Sequence, residues 1–240
     1  MGFFAKKNCD ICGSKIGLLG NKKLEDGNMC KDCAKKLSIW FSDRRESSIA
    51  EINDQLQYRK ENEEKVNRFV VNQRLGKDTM ILVDDKTRSF LVSFTGEVEA
   101  DNPDVIAIDD VNSCFLEVKE SKNEIFQVDS EGKQVSYRIR RYEYFYDFWI
   151  TIGVNNPFFD EIKFKLNNYK VEGQSRHQYD IYKDAGDKIC EVLTSQKEGF
   201  TRQREEETVR MTPAFCPNCG QPIDQKDAVF CPGCGQRLQA

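Results

Sequence analysis

Eight of the ten cysteines stand in four Cys-x2-Cys pairs, gathered as one couple at each end of the 240-residue chain. Cys9 and Cys12 precede Cys30 and Cys33 with 17 residues between the pairs; Cys216 and Cys219 precede Cys231 and Cys234 with 11 between. A tetrahedral Zn²⁺ takes soft thiolate ligands, and two intervening residues let one tight turn aim both sulfurs at a single ion. Each couple therefore completes a four-cysteine site, and two structural Zn²⁺ ions per chain are expected. A fourfold thiolate shell leaves no open position for water or substrate. Glycine follows Cys12, Cys219 and Cys234, where a knuckle turn calls for positive φ.

A disulfide framework and thioredoxin-like redox pairs are the competing readings. The opening Met1–Lys7 lacks the apolar stretch of a secretion signal, so a reducing, cytoplasmic setting is expected. Redox Cys-x2-Cys motifs usually occur singly, whereas here the motif recurs in matched couples.

Other residue types offer little chemistry. The one histidine, His177, stands near the start of a polar helix without a partner in sequence and reads as solvated. Cys114 and Cys190 read as buried structural thiols, not nucleophiles. Asp84-Asp85 and Asp109-Asp110 flank strands and read as turn formers. No phosphate-loop, nucleophile-elbow or zinc-protease motif occurs, so no catalytic residue is assigned and the chain is expected not to be an enzyme.

Charge bears on partners. The chain is 32% charged with a formal net charge of −4, and loading two Zn²⁺ onto eight thiolates takes this to about −8. Residues 1–45 hold ten Lys or Arg against five Asp or Glu, so positive excess is confined there. Nucleic-acid binders usually present a strongly basic face. No apolar run approaches a membrane span. A lipid-binding patch would need a basic pocket that the acidic middle does not supply.

These modules need elements to hold them. Residues 1–45 read as a treble-clef finger: a short strand over Lys15–Gly20, then Cys33 opening a helix through Phe41, with Leu37, Trp40 and Phe41 on one face over the metal. Ser48-x-x-Glu51 is a capping box for a helix over about 48–68, within a helical spacer assigned to 46–74. From 79 the period becomes two: Met80–Val83 and Phe90–Val92 flank an Asp84–Thr87 turn, Ser130–Lys133 forms another, and Tyr142–Val154 carries the longest strand signal. Ile162, Phe164 and Leu166 alternate with charge, and a helix follows Ser175 through Ile189 and Val192. Strands closed by one helix over 75–195 suggest an antiparallel PH-like β-barrel or sandwich. A charged linker at 196–213 leads to a zinc ribbon at 214–240, whose halves share the form Phe-Cys-Pro-x-Cys-Gly. The fold class is thus multidomain α+β, and loss of finger zinc is expected to spare the body.

The run Cys9-Asp10-Ile11-Cys12-Gly13, with Leu24-Glu25-Asp26-Gly27 ahead of Cys30-Lys31-Asp32-Cys33, resembles the bacterial zinc-finger family known as DUF4428. The resemblance covers about 45 residues and implies a treble clef. The middle is similar to the region that commonly follows this finger, and the tail resembles generic zinc ribbons. No activity comes with either likeness. The expected function is a non-enzymatic, zinc-braced adaptor or scaffold binding protein partners; the alternative is nucleic-acid binding through the basic finger.

Overall fold

The computed structural model describes residues 7–17, 19–98, 102–209, 218–220, 222 and 230–235, with side chains to 194 and in the last three stretches. The chain divides into two compact units, residues 1–194 and 195–240.

The first unit opens with a two-stranded hairpin, β1 (Lys22–Lys23) and β2 (Asn28–Met29), and a single helical turn, α1 (Lys31–Ala34). The expected strand over 15–20 is reduced to a bridge between Asn8 and Lys15. The helix expected to reach Phe41 stops at Ala34. Ser38 explains the break, because its hydroxyl accepts from the Trp40 N–H and donates to Asp104, competing with helical continuation. Leu37 and Phe41 still cover the cysteines, but Trp40 packs against the core of the body instead.

Helix α2 (Ile49–Arg68) starts as the capping box requires: the Ser48 hydroxyl accepts from the Glu51 N–H, and the Glu51 carboxylate accepts from the Ser48 N–H at 2.7 Å. The Ser48 N–H and the Ser48 hydroxyl, both donating to the Glu51 carboxylate, hold it below its ordinary value. The helix does more than space the finger from the body. One face carries Ile52, Gln55, Arg59 and Asn62, all buried. Ile52 completes the finger's small core with Leu24, Met29 and Leu37.

Two open, four-stranded antiparallel sheets follow, and no closed barrel forms among the described residues. The first orders β3 (Gln73–Gly76), β4 (Met80–Asp84), β5 (Ser89–Ser93) and β6 (Ile106–Ala107). Its central strands are apolar on both faces because both are covered. Ile81, Val83, Phe90 and Val92 face the main core, while Leu82 and Leu91 meet Val66 and Phe69 near the end of α2. Asp84 closes the β4–β5 turn as expected. Burial pushes its carboxyl up, but N–H bonds from Val70, Lys86 and Thr87 outweigh this and leave it low.

The second sheet is built on two long strands, β7 (Val111–Val128) and β8 (Gln134–Val154), joined by the expected turn. Several separately read strands are thus fused, with an irregularity at Ile125/Phe126 absorbing the extra residues of β8. β9 (Glu161–Lys165) and β10 (Val171–Glu172) both pair with β8. Phe148, Ile150 and Ile152 are fully buried on one face, as their alternation requires, each contributing about 1.5–3 kcal/mol. On the turn side of Phe145 no third strand joins β7 and β8 among the described residues, and the ribbon exposes Phe126, Val128 and Ile139.

Helix α3 (Arg176–Val209) begins one residue after Ser175 and buries Tyr182, Ile189 and Leu193 in the main core. His177 is exposed. Cys114 on β7 and Cys190 on α3, expected as separate thiols, are instead joined by a disulfide. Among the described residues no helix is long and apolar enough to cross a membrane.

Candidate metal centres

Cys9, Cys12, Cys30 and Cys33 converge so that all four Sγ atoms lie within 4.8 Å of one another. Zinc–sulfur bonds of about 2.3 Å put the sulfurs of a tetrahedron about 3.8 Å apart. The Cys12–Cys30 separation is 3.8 Å and the Cys9–Cys33 separation 3.9 Å. The donor set fits a four-coordinate Zn²⁺ in chemistry and in spacing.

Local backbone structure makes this convergence. Cys9 N–H donates to the Ser14 carbonyl and Gly13 N–H to that of Cys9, closing the first knuckle, with Gly13 at φ +73°. Cys30 caps α1: its Sγ accepts from the Cys33 N–H at 3.4 Å, while its own N–H donates to Cys9 Sγ at 3.2 Å. Backbone donors aimed at sulfur stabilise thiolate. Hydrogen bonding from Ser14 lowers Cys12 to about 6, and burial raises Cys33. Four thiolates around one dication remove that inequality, since the metal binds each sulfur deprotonated.

Gly27 reveals a second requirement. A Cβ there would sit 2.8 Å from Asp10 Oδ2 and 2.8 Å from Ile49 Cδ1. Asp26 meanwhile accepts from the Ile49 N–H. The Leu-x-Asp-Gly run therefore presses the finger's hairpin onto the first turn of α2.

In the second unit the Sγ atoms of Cys219, Cys231 and Cys234 lie within 4.8 Å of one another, with Cys219 and Cys231 3.6 Å apart. Cys216, the expected fourth ligand, lies outside the described residues. Gly220 and Gly235 both adopt φ +72°, nearly the value at Gly13. All three cysteine-following glycines thus hold the left-handed conformation that motivated their reading. Cys33 has alanine next because there the chain is still within α1.

Two stretches of the chain match known families. Residues 7–55 match the model described as Domain of unknown function (DUF4428). Residues 215–238 match the zinc-ribbon domain. No match was found among curated proteins or among solved structures. Each match falls on one cysteine cluster, so geometry and family likeness agree on two structural zinc sites. Elemental analysis of purified protein is expected to return two Zn²⁺ per chain. A single zinc, or iron with visible absorption, would refute the assignment.

Beside the DUF4428-like finger lies a groove of 810 Å³ between its second knuckle and α2. Ile11 and Leu56 supply apolar wall, and Lys35, Lys36, Lys60 and Glu63 add charge to the lining. Arg59 also lines it, but its guanidinium is held by Asp104 and by the carbonyls of Lys36 and Asn102. Lys35 and Lys36 belong to the basic finger read from the sequence, and Leu56 to the apolar positions of α2 at helical spacing. Lys60 lies in the mostly polar run 57–65, where nothing in the sequence marks it as facing a groove. Trp149 on β8 is half-buried, with the Lys119 ammonium over its ring at 5.3 Å.

Proposed function

We propose that this chain is a non-enzymatic adaptor that uses its zinc-braced finger to bind an acidic, partly apolar segment of a protein partner. The groove beside Cys12 and Cys33 carries the reading, because it combines lysines with aliphatic wall. A closed four-thiolate site offers a substrate no coordination position, so the finger's contribution is a rigid surface. Such a site carries a net charge of −2 beside the lysines. The local field is therefore mixed, which suits scattered carboxylates flanking an apolar side chain better than a continuous phosphate backbone. Peptide recognition in grooves commonly pairs one apolar anchor with charge at the rim.

Nucleic-acid binding is the second reading, favoured by Lys22 and Lys23 on β1 and by Lys35 and Lys36 in the groove. The acidic net charge of the chain weighs against it.

Comparison of wild type with Lys36→Glu/Lys60→Glu, with and without nuclease, separates the two. A partner retained after nuclease, protecting the amides of Lys35–Lys36 and Leu56–Lys60 from exchange and bound about tenfold more weakly by the variant, supports the adaptor reading. Capture that vanishes with nuclease, or submicromolar affinity for a defined RNA or DNA duplex at about 0.15 M salt, overturns it in favour of nucleic acid.

A further inference from the structure

Cys114 and Cys190 belong to neither metal centre, and 76 residues separate them in sequence. Cys114 stands on β7 opposite Ile152 of β8, and Cys190 follows the fully buried Ile189 on α3. Their Cα atoms are 5.0 Å apart, well within the range a disulfide spans. The helix lies tightly on the strand here. A Cβ at Gly186, one turn before Cys190, would come within 2.6 Å of Leu116 Cδ1, so a larger residue there would force the Leu116 side chain to move. Both cysteines pack against the main core yet are only half-buried, leaving them within reach of a small oxidant or reductant.

The rest of the chain sets the context. Its eight paired cysteines must remain reduced to ligate zinc, while these two are joined. One molecule therefore holds thiols in two oxidation states, separated by geometry. The preformed juxtaposition closes a disulfide without backbone movement, whereas zinc-bound sulfurs are shielded by the metal. We infer that Cys114 and Cys190 form a reversible redox site that clamps α3 onto β7 when oxidised.

The chemistry balances with a peroxide as oxidant. One thiolate attacks the peroxide oxygen, an S–O bond forms as O–O breaks, and the departing hydroxide leaves as water. The second sulfur then attacks the sulfenic acid, S–S forms as S–O breaks, and its proton leaves with the hydroxyl as a second water. Two thiols are oxidised and one hydrogen peroxide becomes two waters. A dithiol reverses this by two exchange steps and is itself left as a disulfide. In the reduced form α3 is held by non-covalent contacts, among them the packing of Tyr179, Tyr182, Ile189 and Leu193 and the Tyr182 hydroxyl bond to Asp78.

The test uses the full zinc-loaded chain. Mass-mapped alkylation is run as purified, after a mild dithiol, and after stoichiometric hydrogen peroxide added back. Expected are a Cys114–Cys190 cross-linked peptide, two labels gained on reduction with both zincs retained, and loss of those labels on reoxidation. Exchange of the amides over Gly186–Leu193 should quicken about tenfold on reduction, and Cys114→Ser should abolish that dependence. Reoxidation that ejects zinc before closing this pair, or exchange rates indifferent to reduction, would overturn the assignment. Cys190→Ser, read by the same exchange measurement, guards against a folding defect peculiar to Cys114→Ser.

Discussion

Cys33→Ser is expected to lower the main melting transition of residues 1–194 by roughly 10 °C, not merely to release a finger. Apparent zinc-binding free energies of about 10–16 kcal/mol hold such modules folded, so removing one ligand opens the site. The damage then spreads through shared contacts. Ile52 and Leu56 of α2 lose Leu24, Met29 and Leu37 as packing partners. The Asp26 bond to Ile49 N–H, the Ser38 bond to Asp104 and the Lys36 carbonyl bond to Arg59 also depend on the finger. Re-exposing one or two buried aliphatic side chains costs about 1.5–3 kcal/mol each. Domain stabilities are only about 5–15 kcal/mol, so this is a large fraction. Calorimetry of the variant, and of wild type after selective chelation, measures the effect. An unmoved transition would restore the independent finger that the sequence suggests. Cys231→Ser acts on the ribbon in the other unit and is expected to cost one zinc while leaving that transition in place.

Features set by local chemistry were legible in the sequence; features set by distant partners were not. Ligand spacing, the glycines after Cys12, Cys219 and Cys234, and the Ser48–Glu51 box each lie within a few residues, so their physics is local. The Tyr142–Val154 alternation was equally plain because from Tyr146 to Val154 one face of β8 meets the core. In contrast, the polar run Gln57–Lys65 reads as part of a helical spacer, although Arg59 and Asn62 are buried within it. Nothing near them in sequence provides their partners, which come from Lys36 and from residues 102–105. The Cys114–Cys190 pairing was hidden for the same reason, since it depends on where α3 crosses β7. Helix α1 was overextended because Ser38 reads as an indifferent helix residue until Asp104 arrives to take its hydroxyl. Of the expected barrel or sandwich, no closed barrel forms among the described residues, because Ile108–Asp110 makes a turn at which the chain passes from the first sheet to the second.

That buried polar network yields the remaining large expectation: Arg59→Met destabilises the first unit by about 3–5 kcal/mol at neutral pH. Arg59 and Asp104 meet at 2.8 Å, with side chains only 9% and 2% exposed. Arg59 also donates to the carbonyls of Lys36 and Asn102, so one guanidinium ties the finger, α2 and the 102–105 loop together. Asn62 continues the tie, donating to Asn102 and Pro103 and accepting from the Val105 N–H. Burial raises the Asp104 carboxyl, while Arg59 and the Ser38 hydroxyl oppose the rise. Removing Arg59 takes away the larger opposing influence and drives the folded value further up. An acid whose folded pKa exceeds its unfolded value loses stability as pH rises through that interval and recovers it below. The deficit of Arg59→Met is therefore expected to be greatest near pH 7 and to shrink as pH falls toward the unfolded-state value of about 3.9, below which Asp104 becomes protonated in both states. Arg59→Met combined with Asp104→Leu removes both charges and should cost much less than the two single changes together, because neither ion is left stranded. Urea titrations of the four proteins at two pH values measure all three effects. A deficit independent of pH, or strictly additive single and double variants, would show that Arg59 acts through its hydrogen bonds to Lys36 and Asn102 and not as the counter-charge of Asp104.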